Sequence, residues 1–170
     1  MHVASWTDFR PTALLTGLVD GGVDFVIIGG VAVVLQAQTR FTKDLDICYA
    51  PGPANLERLG AVLSGLNARL RGIDEDIPFV ADARMLRQTQ ILTLTTDDGD
   101  LDLLVDPSGA PPYAELRADA DLLDVAGIEV RVASIEHLTA MKQAAGRPQD
   151  LIDIEALQIV RRRRGRRRRS

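Results

Sequence analysis

The stretch from Phe25 to Tyr49, FVIIGGVAVVLQAQTRFTKDLDICY, constrains this chain more than any other. An apolar, β-branched run ends at Gly29–Gly30, and fourteen residues later Asp44 and Asp46 stand two apart inside a second apolar run. The alternation of KDLDICY predicts a strand, in which residues two apart leave the same face. Two carboxylates that close repel each other, and one pKa rises unless a cation sits between them. A divalent metal removes the conflict, and Mg²⁺ takes such oxygen ligands where substrate phosphates complete its coordination. The alternative is an edge strand carrying two ordinary solvent-facing acids.

A third acid adds weight to the metal. Asp102 lies in GDLDLLVD between Leu101 and Leu103, on a strand expected to be buried, where an isolated carboxylate is costly. Beside Asp44 and Asp46 it completes a three-carboxylate cage suited to two-metal phosphoryl chemistry. Asp100 shares its face and is the competing candidate, but its place beside the Gly99 turn suggests ordinary exposure. Gly29–Gly30, between a strand and a helix, lets backbone N–H groups come close to phosphate, with the helix N-terminus adding partial positive charge.

The rest of the chain supplies a frame for these residues. Helical spacing marks 9–20, 31–38 and 51–72, the last beginning with Pro-Gly-Pro and with Asn55 placed to cap it. Strand patterns cover 23–28, 43–49, 89–96 and 101–106, the last two joined by a turn containing Asp98–Gly99. A second hairpin turns at Ala126–Gly127. Ser134 caps a helix that Gly146 ends, and a last helix runs from Gln149 to Val160. The order α-β-α-β-α-β-β-β-β-α-α predicts an α/β (α+β) fold, a mixed sheet flanked by helices with a helical C-terminal end.

Composition limits what such a fold can be. At 170 residues, 46% hydrophobic and 26% charged, the chain has the balance of one ordinary globular domain. It holds no apolar run near the roughly 20 residues of a membrane span and no secretory pattern at its start, so a cytoplasmic location is expected. The lone Cys48 reads as a small buried hydrophobe. His137 has no histidine partner, and Trp6 and Tyr49 are expected to pack rather than stack bases.

Eight of the 20 basic residues are arginines between 161 and 169, leaving 12 against 24 acidic ones, a body near −12. Such a block repels itself, so a folded domain over 1–160 and a disordered tail over 161–170 are expected. The tail suits sequence-independent contact with RNA or DNA, or could fold back on the acidic body.

GGVAVVLQAQTRFTKDLDI resembles the signature of the DNA polymerase-β-like nucleotidyltransferases: a Gly-Gly or Gly-Ser turn, a short helix, and Asp-x-Asp on the next strand. Arg40-x-Thr42-x-Asp44-x-Asp46, then LDLL, then LTAMKQAAGRPQDLIDIEAL resembles, within that superfamily, the AbiE-type and MenT toxins of bacterial toxin–antitoxin pairs. The resemblance runs from about residue 12 to 160 and leaves the arginine tail outside it.

The resemblance implies a Mg²⁺-dependent transferase that moves a nucleoside monophosphate from an NTP to an acceptor hydroxyl. It places Gly29, Gly30, Arg40, Thr42 and Lys142 at the nucleotide and Asp44, Asp46 and Asp102 at the metal. Lys142 and Asp150 match a C-terminal helical motif whose lysine holds phosphate, with Arg147 and Asp153 as alternates. The implied acceptor is the 3′ end of tRNA, with a cognate antitoxin as partner. An aminoglycoside-like small molecule, a protein hydroxyl, or an inactive nucleic-acid-binding module are the rivals. Gly30 departs from the relatives that carry serine there, which leaves only backbone donors at that position.

Overall fold

Strand β1 (Phe25–Ile28) is buried over all four residues, and the fold is built outward from it. The computed structural model of the chain describes residues 9–38, 42–73 and 79–169. Antiparallel to β1 runs β2 (Asp44–Tyr49), with Ile28 opposite Asp46. On the far side of β2 lies β5 (Gly99–Leu104), parallel to it, and β5 pairs antiparallel with its hairpin partner β4 (Ile91–Thr96). A two-residue strand, β3 (Arg69–Leu70), closes that edge. On the other side of β1, β7 (Ile128–Val132) runs parallel and carries β6 (Asp121–Val125) by a hairpin through Ala126–Gly127. The sheet order is β3-β4-β5-β2-β1-β7-β6, the expected mixed sheet.

Register decides what each sheet face carries. Asp44 pairs with Asp100 and Asp46 with Asp102, while Leu45, Ile47, Leu101 and Leu103 alternate with them. Those four apolar residues are at most 1% exposed and face the core. The acids therefore all leave the opposite face, because the side-chain period of a strand is two.

Seven helices are present among the described residues. Helix α1 (Pro11–Asp20) buries Leu14, Leu15 and Leu18, and α2 (Gly29–Ala37) begins directly where β1 ends. Helix α3 (Pro53–Gly65) is shorter than its periodicity suggests. Asn67 takes a left-handed conformation (φ 53°) and turns the chain into β3, so residues 69–70 form an edge strand where a continuing helix was expected. Asn55 is not the cap either; Gly52 precedes Pro53 at that end. Asn55 is buried inside the helix, where its amide accepts from Asp24 N–H and donates to the Asp24 and Ala50 carbonyls. It ties α3 to the ends of β1 and β2.

Two short helices carry too little periodicity to be read in advance: α4 (Ala83–Gln88), capped by Asp82, and α5 (Tyr113–Ala118). Helix α5 is fixed by Tyr113 and Arg117, both donating to Asp24. Helix α6 (Ile135–Ala145) is capped by Ser134 and ends at Gly146 as expected.

The largest departure is at the C-terminus. Helix α7 (Pro148–Arg167) runs through most of the arginine block expected to be disordered. Arginine is a good helix former, and positive charge at a helix C-terminus is favoured by the macrodipole. Arg161 lies 3.7 Å from Glu136, and Arg164 contacts Asp121 at 3.6 Å and Gln36 at 2.8 Å, so the acidic body offsets part of the self-repulsion.

Candidate active site

Asp44, Asp46 and Asp102 converge from the adjacent parallel strands β2 and β5, with one carboxylate oxygen from each within 4.8 Å of the others. All three are partly buried. Burial first, then the charges of Asp44 and Asp102, push the Asp46 carboxyl up to about 7, while Lys142 pulls it down. Burial also raises Asp102, against the lowering effect of Arg71. An oxygen-only donor set whose members repel one another fits a hard divalent cation, since bound positive charge relieves the repulsion.

Gly29 is the residue on which this geometry depends. Its φ is +67°, and a Cβ there would overlap the Asp46 carboxylate. With glycine, β1 passes into α2 without a loop, and the first turn of α2 lies against Asp46. Gly30 is buried in that turn. Thr42 approaches the site differently: its hydroxyl donates to the Asp44 carboxylate and backbone carbonyl, both at 3.3 Å, and so orients a ligand. Arg40 lies outside the described residues, as does Trp6.

Arg71 contacts the candidate cluster, and sequence reading missed it. It donates to Asp102 Oδ1 at 2.6 Å and to the Leu94 carbonyl at 2.9 Å, while its Nε stands 3.1 Å from Asp100 as an ion pair rather than a directed hydrogen bond. Extending helix α3 to residue 72 pointed this side chain elsewhere; the β3 edge turns it onto β5. Asp100, the rival to Asp102, is occupied by Arg71 and by the Thr95 hydroxyl at 3.1 Å.

Lys142 and Asp150 meet, in a buried group at the junction of α6 and α7. Lys142, 6% exposed, lies 3.1 Å from Asp150 and 3.0 Å from Asp153, themselves almost wholly buried. Asp150 also accepts from the Arg147 backbone at 3.0 Å and from its guanidinium at 2.9 and 3.2 Å. Burial works against this carboxylate, but its hydrogen bonds from Arg147 and Lys142 hold it down at about 2. Asp150 and Asp153 thus both grip the lysine, and the pair Lys142 and Arg147 stands close enough to Asp46 for their fields to couple. Elsewhere, His137 stands 3.6 Å from Asp119, Tyr49 is buried, and Cys48 is buried with its thiol pushed up to about 11 by that burial. A cleft of about 460 Å³ between α3 and residues 79–83 is lined by none of the converging acids.

The model of the nucleotidyl transferase AbiEii toxin family, of type IV toxin–antitoxin systems, matches residues 13–162. The chain belongs to that family. No curated protein sequence is similar enough to be matched. Among solved structures, the chain resembles the lincosamide antibiotic adenylyltransferase LnuA bound to lincomycin, with a TM-score of 0.61, 15% identity, and coverage of 91% of this chain and 99% of that one. It also resembles ANT(2″)-Ia in complex with adenylyl-2″-tobramycin, with a TM-score of 0.55, 18% identity, and coverage of 92% and 95%. A nucleotidyltransferase-like protein from Paracoccidioides brasiliensis follows at 0.53, with 20% identity and coverage of 86% and 72%. At these identities the structures speak for the fold alone. As an AbiEii-family member the chain is a nucleotidyltransferase, and its fold is of the polymerase-β-like type expected from the Gly-Gly and Asp-x-Asp signature. Among the described residues, no helix is long and apolar enough to cross a membrane.

Proposed function

We propose that this chain transfers a nucleoside monophosphate from an NTP to the 3′-terminal hydroxyl of tRNA, as the cytoplasmic toxin of a pair whose antitoxin restrains it. The observation that carries the reading is the convergence of Asp44, Asp46 and Asp102 beside Gly29 at the start of α2. Asp44, Asp46 and Asp102 would hold Mg²⁺, with Thr42 steadying Asp44. When bound, the metal supplies neutralisation of the triphosphate and polarisation of the attacking hydroxyl.

The chain's own residues do the rest. Backbone N–H groups of Gly29 and Gly30 receive phosphate oxygens, with Arg40 as a further nucleotide contact. The acceptor hydroxyl gives its proton to Asp102, its oxygen bonds to the α-phosphorus, and the bond from that phosphorus to the pyrophosphate oxygen breaks. Lys142, gripped by Asp150 and Asp153, brings positive potential to the side on which pyrophosphate departs. Asp150 acts through Lys142 and Arg147 and is a positioning residue.

A small-molecule acceptor is the second reading. It is favoured by the likeness to enzymes whose structures contain lincomycin and adenylyl-tobramycin. Label transfer separates the two. Protein, Mg²⁺ and each α-labelled NTP are incubated with cellular RNA, protein extract, tobramycin and lincomycin, beside an Asp44→Asn/Asp46→Asn control. Label in the tRNA band for the unmutated chain alone is the expected result. Label on tobramycin or lincomycin instead would replace tRNA by a drug-like acceptor, and label in a protein band would move the chemistry to protein hydroxyls.

A further inference from the structure

Helix α7 links the candidate site to the arginine block along a single rigid axis. Its inner face carries Asp150, Asp153 and Leu157, all buried, then the partly buried Val160, and last Arg164, which reaches Asp121 and Gln36. The steps of three and four residues are those of one helix face. Arg162, Arg163 and Arg166 lie off that face, and Arg168 and Arg169 follow at the helix end; all five are exposed. The body beneath them is acidic, so the block is a local reversal of charge, not part of a general basic surface.

At 1.5 Å per residue, Arg162 stands about 18 Å and Arg166 about 24 Å beyond Asp150 along the axis. Helix α7 packs against α2, whose first residue, Gly29, lies against Asp46, so these distances are measured from the edge of the site. An antibiotic-sized acceptor does not span them. A nucleic-acid helix with its end in the site does, because at the shorter rise of A-form RNA its backbone comes opposite the arginines after about six to nine pairs.

We infer that the exposed arginines of the α7 extension bind the phosphate backbone of an RNA acceptor about six to nine base pairs from its reacting end. This rests on the RNA-acceptor reading above. The arginines are spread around a helix with no interleaved aromatic residue, so they recognise charge and spacing, not sequence. Arg161 and Arg164 serve instead to hold the extension on the body.

The test compares the full chain with its R162Q/R163Q/R166Q/R168Q/R169Q variant, which keeps Arg161 and Arg164; thermal melting with Mg²⁺ and NTP verifies folding. Affinity is measured against RNA stem-loops of three and twelve base pairs, across a potassium chloride series. The expected result is a loss of tenfold or more on the long stem and little change on the short one. The slope of log affinity against log salt should fall by about three to five, near one per lost phosphate contact. Equal affinity of both proteins for the long stem would overturn the inference, as would an equal loss on both stems. Tail-dependent binding to phosphatidylserine vesicles with RNA binding unchanged would also overturn it, making the block a membrane arm. The two proposals fail separately. Tail-dependent binding to the long stem without label transfer to any RNA sinks the acceptor reading alone, and transfer to RNA that ignores the five substitutions sinks this inference alone.

Discussion

Asp46 fills the space that a side chain on residue 29 would need. Gly29 has φ +67°, and a Cβ built on it would sit 2.7 Å from Asp46 Cγ. The two residues face each other across the β1–β2 pair, where Ile28 opposes Asp46. Gly29→Ala therefore meets two penalties, left-handed backbone and an occupied volume, together about 1–3 kcal/mol. Asp46 must rotate away to relieve the second. The variant is expected to stay folded by circular dichroism, melt lower, and lose most of the stabilisation that Mg²⁺ with NTP confers. Full retention of that stabilisation would remove Gly29 from the site.

The acids predict how metal-free stability varies with pH. Asp46 titrates at about 7 in the folded chain against 3.8 in the reference state. Between those values the folded state binds the extra proton, so stability falls as pH rises through the interval. Above about 7 the full penalty of a buried, unneutralised cluster is present, and added Mg²⁺ should stabilise most there. Melting curves in chelator from pH 5 to 8 are expected to decline for the unmutated chain and to flatten for Asp46→Asn. A flat curve for the unmutated chain would mean that Asp46 is ionised throughout.

Arg71 gives a prediction of opposite sign for metal and for fold. It neutralises Asp100 and Asp102 from one side of the cluster. In Arg71→Gln, the loss of charge-assisted hydrogen bonds is expected to cost about 1–3 kcal/mol without metal. The cluster then carries one more uncompensated negative charge, so the upward shift in Tm on adding Mg²⁺ should exceed that of the unmutated chain. A smaller shift would show Arg71 to be needed for aiming Asp102 rather than for balancing its charge.

Most of the convergence at the candidate site was legible because it is written in short-range signals. Two-residue spacing put Asp44 and Asp46 on one face, a leucine-flanked acid pointed to Asp102, and a glycine pair marked the turn before α2. The role of Gly29 as space for Asp46 was not legible, since it depends on how β1 and β2 pair across fifteen intervening residues. Arg71 was lost to an overextended helix: residues 66–72 keep helical composition, but Asn67 in the left-handed region redirects them into the β3 edge. The helical state of residues 161–167 was missed for a related reason. Local self-repulsion argued for disorder, and the acids that offset it, Glu136 and Asp121, lie distant in sequence.

The buried group at α6 and α7 offers the sharpest separation of structure from chemistry. Lys142 is held by two carboxylates, and Asp150 by Arg147 as well. Lys142→Met takes the cation away from Asp153, which keeps the Gln149 amide at 3.1 Å, and from Asp150, both almost wholly buried, which is expected to cost about 3–5 kcal/mol. The same change removes a positive charge that lowers Asp46, so the metal-free pH profile should shift further upward. Asp150→Asn acts on the other side of the pair. Its folded-state pKa of about 2 lies below the reference value of 3.8, so the stability it contributes is present above that value and lost as pH falls toward 2. Between pH 5 and 8, Asp150→Asn should thus lower Tm by a near-constant amount, while Lys142→Met should alter the slope as well. If both variants lower Tm equally at every pH, Lys142 supports only the helix junction, and its field does not reach the acids of β2.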